Sequence, residues 1–237
     1  TVRELEEELG FELFIRHGKR IKGFTEPGKQ VMNIAVEILA NIKKIREIKD
    51  DFSEEKTGKL VLATTHTQAR YSLPELIKKF RNSFPKVHFV IHQSSPPEIA
   101  SLLESGEADI GIATESLKND SRFITIPFYH WFHSIIVPIN HPLTKEKKIT
   151  IKSISKFPII TYHQGFTGRS SIDEIFTKNN CPEKIVLEAL DADVIKAYVS
   201  LNLGIGIIAS MAYDKNIDKH LKLIDGSNIF KKNTTVL

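Results

Sequence analysis

The sequence predicts an α/β fold in which two lobes enclose a cleft, preceded by the end of a winged helix-turn-helix and a long linker helix. From residue 58 onward, short apolar runs alternate with helical patterns, which is typical of sheets covered by helices. Before residue 58, a short helix, a basic hairpin and a long amphipathic helix follow one another. The apolar runs fall into two series, and this division predicts two lobes.

The same patterns divide the chain into units. With 237 residues it is long enough for two or three domains. We assign residues 1–25 to the C-terminal part of a winged helix-turn-helix, 26–57 to a linker (dimerisation) helix and hinge, and 58–237 to an effector-binding domain. Its first lobe is expected to comprise residues 58–126 and 233–237, and its second lobe residues 127–232. The chain starts inside a helical pattern and stops inside a strand pattern, so both ends are expected to be cut.

Composition excludes several classes of protein. The formal net charge is +4 and 41% of the residues are apolar, as in an ordinary globular protein. The single cysteine, Cys181, rules out an internal disulfide framework and fits a reducing compartment. No apolar run reaches membrane-spanning length, and no signal-peptide pattern opens the chain. We therefore predict a cytoplasmic protein with no membrane association.

The N-terminal elements have the order expected for the last part of a winged helix-turn-helix. Val2, Leu5 and Leu9 recur at helical spacing, and residues 11–15 and 21–25 read as two strands. Basic residues crowd the hairpin with no acidic residue between them: Arg16, Lys19, Arg20 and Lys22. Such side chains can contact DNA phosphates and give salt-dependent affinity. A basic run can also be no more than a solvated face.

The next helix is predicted to be long and to pair with a partner helix. Thr25 is placed as its N-cap, and Pro27 lies in the first turn. Apolar residues alternate in steps of three and four along about 25 residues, or about 40 Å. They are Val31, Ala35, Ile38, Ile42, Ile45 and Phe52. The alternative is a surface helix packed on its own domain.

The first series predicts a parallel sheet covered by helices, and the second series predicts a further α/β lobe. The first series has strands at 59–65, 87–93 and 109–113, with helices at 73–82 and 97–105. The second has strands at 134–137, 159–162, 184–187 and 206–208, with helices at 170–179 and 192–201. In the first series, the helices between successive strands indicate the crossover connections of parallel strands.

Neutral hydrogen-bond donors cluster where three of these elements end. Gly165 and Gly168 lie on either side of Thr167, and their lack of a side chain allows a ligand to approach the backbone closely. Hydroxyl and amide groups from both lobes could bind a small anion without lysine or arginine. The candidate effector-binding residues are Thr65, Thr67, Gln68, Thr114 and Thr167, with Trp131 as a further cleft residue. Threonine is also common in strands and helix caps, so a purely structural role is the alternative.

Residues that could support catalysis or metal binding do not form a recognisable set. His130 and His133 stand three residues apart without a nearby carboxylate or cysteine ligand. Cys181 lies in a loop with no evident base. Asp191 and Asp193 read as helix caps rather than as a pair of acids. No catalytic residue and no metal site is predicted.

At this point the residues resemble a known family. The segment LEEELGFELFIRHGKRIKGFTEPGKQ resembles the end of the winged helix-turn-helix of LysR-type transcriptional regulators, and GEADIGIAT, NHPL and VSLNLGIGIIAS resemble their effector domain. Four further segments resemble the CysB-type branch, which controls sulfur assimilation and cysteine biosynthesis. They are ATTHTQARYSLPELIKKF, YHW, GFTGRSSIDEIF and DADVIKAYVSLNLGIGIIASMA, and the likeness covers nearly the whole chain.

The resemblance implies a homotetramer, built as a dimer of dimers, that binds promoter DNA and leaves RNA polymerase open as a further partner. The effector domain is expected to have the two-lobed fold of type 2 periplasmic binding proteins, with no cofactor. In the CysB-type branch the cleft accepts acetylserine inducers or sulfur oxyanions. Its motif residues fall here on Thr65, Thr67, Gln68, Thr114 and Thr167, with Trp131 close by. Ser94 and Phe132-His133 depart from the usual residues and leave the inducer open.

Two other functions are weighed from the sequence, a solute-binding protein and an enzyme. A solute-binding protein for a small oxyanion, with no DNA role, would share the two lobes but would not need the basic hairpin or the long helix. An enzyme would need a convergent acid, base or nucleophile, and the sequence offers none, so we predict no enzymatic activity.

Overall fold

The computed structural model describes residues 1–18, 20–51, 57–114, 117 and 120–237. It has two α/β lobes, as predicted, preceded by a helix, a hairpin and a long helix. Lys19 of the hairpin and Phe52 of the helical seam lie outside the described residues. Within the described part of the chain, no helix is long and apolar enough to cross a membrane.

The N-terminal hairpin begins later than the sequence predicts. Helix α1 (Val2–Leu9) is followed by strands β1 (Phe14–His17) and β2 (Arg20–Phe24), which pair antiparallel. The carboxylate of Glu6 accepts the backbone N–H groups of Leu13 and Phe14, at 2.8 and 3.3 Å. These bonds tie the connection to α1, so pairing starts only at Phe14 rather than at residue 11.

The long helix α2 spans Glu26–Asp51, 26 residues. The Thr25 hydroxyl accepts the N–H of Gly28 at 3.0 Å and donates to the carbonyl of Glu12 at 2.6 Å, which joins the helix start to the hairpin. The seam residues Ile38, Ile42 and Ile45 are 53%, 40% and 66% exposed. Pairing with a partner helix stays a prediction, and this apolar exposure is what such pairing would cover.

The first lobe contains a five-stranded sheet in the order β4-β3-β5-β12-β6. Its strands are β3 (Gly58–Thr64), β4 (Val87–Gln93), β5 (Ile110–Thr114), β6 (Pro127–Trp131) and β12 (Asn233–Val236). Its helices are α3 (His66–Tyr71), α4 (Leu73–Ser83) and α5 (Pro96–Glu104). Pro74 lies at the start of α4, and its ring prevents α3 and α4 from forming one continuous helix.

The second lobe contains a five-stranded sheet in the order β11-β7-β10-β8-β9. Its strands are β7 (His133–Pro138), β8 (Ile159–Tyr162), β9 (Ile185–Ala189), β10 (Ile205–Ala209) and β11 (Leu221–Ile224). Its helices are α6 (Ile151–Ile154), α7 (Arg169–Lys178) and α8 (Ala192–Ser200). Alternate residues of β7 face opposite cores: Ile135 packs with Phe176 of α7, and Ile136 packs with Ile195 of α8.

Two expectations about the lobes were wrong. The second lobe does not begin at residue 127, because β6 pairs with β12 in the first sheet, with Trp131 opposite Asn233. The first sheet is also mixed rather than parallel, because β12 runs antiparallel to β5 and β6. The second sheet is mixed as well, with β7 antiparallel to β10 and β11. The chain therefore crosses from the first lobe to the second at Phe132, between β6 and β7. No helix separates these two short strands, so the sequence pattern did not mark the crossing.

Candidate functional site

The six candidate effector-binding residues are all buried at the face between the lobes, from fully buried Gln68 to Thr114 at 7% exposure. Thr65 follows β3 directly and is the N-cap of α3, which carries Thr67 and Gln68. Thr114 ends β5. Because β3 and β5 are adjacent and parallel, their carboxyl ends bring these side chains to one edge of the sheet.

The amide of Gln68 and the indole of Trp131 already have partners within the first lobe. Gln68 Nε2 and Trp131 Nε1 both donate to the hydroxyl of Thr235, each at 3.2 Å. The phenol of Tyr129 donates to Gln68 Oε1. Thr235 lies opposite Thr114 in the β5–β12 pair. Gln68 and Trp131 thus form a fixed hydrogen-bonded wall rather than free donors, and Trp131 is a residue of the first lobe.

Thr167 lies in a strained loop of the second lobe. Thr167 and Gly168 both have positive φ, 41° and 68°. The carbonyl of Thr167 accepts from His133 Nε2 at 2.9 Å, which leaves His133 Nδ1 to accept from Asn233 Nδ2 at 3.3 Å. A Cβ at residue 168 would lie 2.9 Å from Asn233 Oδ1, so glycine is required there. The Thr167 loop is therefore held by His133 at the start of β7, which in turn contacts Asn233 of β12.

His133 is neutral in this site. It is fully buried, and burial lowers the pKa of His133 to about 4, while its bond to the Thr167 carbonyl acts in the opposite direction. Its ring packs against that of Trp131, with centroids 4.9 Å apart. His133 therefore links the second-lobe loop to the wall of the first lobe, a role that the sequence did not reveal.

Thr67 provides the one fully buried side-chain donor of the candidate set that lacks a hydrogen-bond partner in the described part of the chain. Its hydroxyl is buried and has no hydrogen-bond partner among the described residues, a state shared only by Ser171 Oγ in α7. Burial raises the pKa of the Tyr162 phenol of β8, and the N–H of Ala209 and the hydroxyl of Thr67 act in the opposite direction. Thr67 thus faces the second lobe close to Tyr162, without the geometry of a hydrogen bond. An unpaired buried hydroxyl costs about 1–3 kcal/mol, and a ligand would remove that cost.

The guanidinium group next to Thr167 is not available to a ligand. Arg169 donates to Asp173 Oδ1 and to the Tyr162 carbonyl, both at 2.6 Å, and also pairs with Glu188. Its side chain is only 4% exposed. Arg169 therefore offers no free positive charge beside Thr167.

A pocket of about 510 Å³ opens between the two lobes beside α3. The first lobe contributes His66, Gln93, Ser94, Ser95 and Glu98, and the second lobe contributes Phe166, Leu190 and Asp191. None of the six candidate residues lines this pocket, but His66 and Phe166 of its lining directly precede Thr67 and Thr167 in the chain. The pocket has room for a small organic molecule.

A metal site was not predicted, and one group of side chains tests that expectation. Ligand atoms of His66, Asp191 and Asp193 lie within 4.8 Å of one another, the one such group in the part of the chain that the structure describes. Asp191 accepts the N–H of Val194 at 2.9 Å and is an N-cap, as predicted. Asp193 is not a cap: it accepts from the phenol of Tyr71 at 2.6 Å, in the other lobe. Each of the two carboxylates therefore already accepts at least one hydrogen bond from the protein.

The basic hairpin is exposed, with one exception. Arg20 and Lys22 project from β2 as exposed side chains. Arg16 instead pairs with Glu6 at 2.8 Å, and its side chain is 29% exposed. Part of its charge is therefore neutralised within the protein, which leaves Arg20 and Lys22 as the stronger phosphate-contact candidates of those described.

Sequence reasoning missed several residues of this site: Tyr71, Tyr162, Asn233, Thr235 and Lys196. Asn233 and Thr235 belong to the polar segment NTT inside the last strand, a pattern that could have marked them. Tyr162 ends the apolar run IITY at a strand terminus, which is also a detectable signal. No local pattern distinguishes Tyr71, because its partners are far away in the sequence.

Comparison with known proteins shows the family. Residues 53–228 match the model of the LysR substrate binding domain. The chain is 50% identical to the HTH-type transcriptional regulator cbl of Escherichia coli (strain K12), covering 100% of this chain and 75% of that relative. It is 47% identical to the HTH-type transcriptional regulator SsuR of Burkholderia cenocepacia, covering 99% and 76%. It is 46% identical to the HTH-type transcriptional regulator CysB of Haemophilus influenzae, covering 99% and 72%.

Solved structures agree with the fold. The cofactor-binding domain of the Cbl transcriptional regulator matches with a TM-score of 0.74 and 50% identity, over 76% of this chain and 79% of that one. A full-length OxyR variant from Pseudomonas aeruginosa matches with a TM-score of 0.76 over 99% of this chain and 76% of that one, but at 20% identity it shows the fold alone. The relatives are named as transcriptional regulators, which confirms the prediction of a non-enzymatic protein and does not favour a solute-binding protein.

Proposed function

From the premise that this chain belongs to the LysR family of transcriptional regulators, in the branch of Cbl, SsuR and CysB, we propose that it controls genes of sulfur assimilation and cysteine biosynthesis in response to a small anion bound between its lobes. The observation that carries the effector part is the Thr67 hydroxyl, which is buried near Tyr162 of the second lobe and makes no hydrogen bond of normal geometry with the described residues. A bound anion would accept its proton in a hydrogen bond.

The donors are neutral hydrogen-bonding groups, which suits reversible binding of a small anion. Thr65, Thr67, Thr114 and Thr167 supply neutral groups, with Gln68 and Trp131 behind them as the fixed wall. Neutral donors bind an oxyanion without a strong ion pair, so binding can be reversible at metabolite concentrations. Sulfate, thiosulfate and acetylserine, through its carboxylate, all carry the required group. The pocket beside α3 would receive the organic part of acetylserine.

The regulatory step follows from the position of the site between the lobes. An effector that binds the closed arrangement more tightly shifts the population toward it. That shift would move α2 of one protomer relative to its partner in a homotetramer, and so alter the spacing of the two DNA contacts. Arg20 and Lys22 would contact phosphates of promoter DNA in the cytoplasm, with RNA polymerase as a further partner.

Isothermal titration calorimetry with sulfate, thiosulfate and O-acetylserine tests the effector. Thr67→Val removes the unpaired hydroxyl at nearly constant volume, and we expect affinity to fall about tenfold to a hundredfold, which corresponds to about 1–3 kcal/mol. The same variant should be as stable as the wild type or more so by roughly 1 kcal/mol, because a buried unpaired group is lost. Thr177→Val, at an exposed site on α7, is the matched control. Unchanged affinity in Thr67→Val would remove the proposed site.

Gel-shift titration with promoter DNA upstream of sulfur-assimilation genes tests the regulatory role. We expect binding by the full-length protein whose affinity or footprint changes when the effector is added. No DNA binding by that protein would favour a solute-binding role.

A further inference from the structure

One side chain of the first lobe enters a polar site on the second lobe. The phenol of Tyr71, the last residue of α3, donates to Asp193 Oδ1 at 2.6 Å and accepts from Lys196 Nζ at 3.0 Å. Its ring also packs against the second-lobe core, and Lys196 Nζ lies 5.2 Å from the ring centroid. We call Tyr71, Asp193 and Lys196 the inter-lobe clasp.

The second-lobe half of the clasp is built without help from the first lobe. The ammonium group of Lys196 donates to the Ala212 carbonyl at 3.0 Å and to Asp218 Oδ2 at 3.2 Å. Both charged side chains are buried, with 9% and 7% exposure. Asp193 Oδ1 of the same helix also lies 3.2 Å from this ammonium group. The phenol of Tyr71, at 3.0 Å, is thus the one of these partners of Lys196 that the first lobe supplies.

The first-lobe half of the clasp lies on the same short helix as the effector donors. His66 Nε2 and Arg70 Nε approach Asp193 Oδ2 at 3.3 and 3.5 Å. Burial works to raise the pKa of Asp193, but the hydrogen bonds from Tyr71, His66 and Lys196 outweigh it, so the pKa is lowered and the carboxylate is charged. Thr67 and Gln68 stand between these contacts in the six residues of α3. Any displacement of α3 from the second lobe displaces both sets together.

We infer that Tyr71, Asp193 and Lys196 are positioning residues that hold the lobes closed and set the fraction of molecules in which Thr67 and Thr167 face the same ligand. The contacts of Tyr71 with Asp193 and Lys196 hold the lobes together whether or not an effector binds. Their effect on effector affinity rests on the proposed function. Hydrogen bonds to charged and partly buried groups are stronger than those at the surface, so the clasp contributes more than an exposed ion pair. Apparent affinity falls in proportion when the closed fraction falls.

The distance between the lobes without any ligand is the first test. Spin labels at Lys79→Cys and Lys222→Cys, both exposed positions, in a Cys181→Ala background and diluted with unlabelled protein, report one first-lobe to second-lobe distance. We expect a single narrow distribution for the otherwise unchanged protein and a longer, broader one for Tyr71→Phe. Tyr213→Phe is the matched control, because that phenol donates to the Leu221 carbonyl inside the second lobe. An unchanged distribution in Tyr71→Phe overturns the inference.

Affinity for sulfate, measured by calorimetry on the same proteins, is the second test. Tyr71→Phe should bind roughly tenfold more weakly while still unfolding in one cooperative transition, and Tyr213→Phe should bind like the wild type. Asp193→Asn keeps an oxygen for the phenol but loses the charge, so its distance and affinity should fall between those of wild type and Tyr71→Phe. A wider distance with unchanged sulfate affinity overturns the positioning role. Absence of sulfate binding in the wild type counts against the proposed oxyanion, and the distances then decide the clasp on their own.

Discussion

Buried His133 makes the stability of this protein depend on pH between about 4 and 6.5. The pKa of His133 is about 4 in the folded protein, because the ring is fully buried, against about 6.5 in the unfolded chain. In that window the unfolded state binds more protons than the folded state, so stability rises with pH. Above pH 6.5 His133 is neutral in both states and does not lower the stability of the folded protein. As the pH falls from 6.5 toward 4, protonation of His133 in the unfolded chain progressively lowers that stability.

The size of the effect follows from the shift. A difference of about 2.5 pKa units corresponds to about 3 kcal/mol, since each unit is about 1.4 kcal/mol. About 1 kcal/mol should be lost by pH 5.5 and most of the remainder by pH 4. Protonation would also place a new N–H of His133 against the amide of Asn233, 3.3 Å away, which would have to reverse its orientation.

Urea unfolding at a fixed protein concentration, followed by the fluorescence of Trp131, measures this loss, because Trp131 is the single tryptophan and is buried. His133→Gln is the control variant, since its amide can donate to the Thr167 carbonyl and accept from Asn233 without titrating. We expect the wild type to lose about 2–3 kcal/mol more than His133→Gln between pH 7 and 4.5. An equal loss of unfolding free energy in the wild type and His133→Gln would refute the assignment of a neutral buried imidazole.

Three further predictions test other parts of the structure. Gly168→Ala should lower the free energy of unfolding by about 1–3 kcal/mol, more than Gly165→Ala, because both residues have positive φ but only residue 168 has atoms within 3 Å of a new Cβ. Equal losses in urea unfolding would contradict the crowding. Asp191→Ala should cost about 1 kcal/mol by removing the cap on the Val194 N–H at 2.9 Å, and a melting curve like the wild type would exclude that cap. Replacing Arg20 and Lys22 together by Ala should reduce the slope of log affinity against log salt for promoter DNA by about 2, with Lys147→Ala as the exposed control, and an unchanged slope would exclude phosphate contacts.

Local patterns were sufficient wherever a residue's neighbours in the sequence are also its neighbours in space. The periodicity of residues 59–65 and 87–93 predicted β3 and β4 within one residue, because both are apolar runs between helices. Asp191 was identified as a cap because capping involves residues only three positions apart. The strand β6 was placed in the wrong lobe, since its assignment depends on pairing with β12, about 100 residues later.

For the candidate site, the sequence by itself determined that uncharged donors stand at the ends of strands and helices, with Thr65, Thr67 and Thr114 in the first lobe and Thr167 in the second. Only the tertiary structure decided which donors are free: Gln68 and Trp131 have their partner in Thr235, whereas Thr67 has none among the described residues. It likewise decided that His133 fixes the Thr167 loop and that Tyr71 meets Asp193 and Lys196. The physical reason is that hydrogen-bond satisfaction and burial depend on distances between residues that lie far apart in the sequence, 34 positions for His133 and Thr167 and 167 for Gln68 and Thr235, and no local period encodes them.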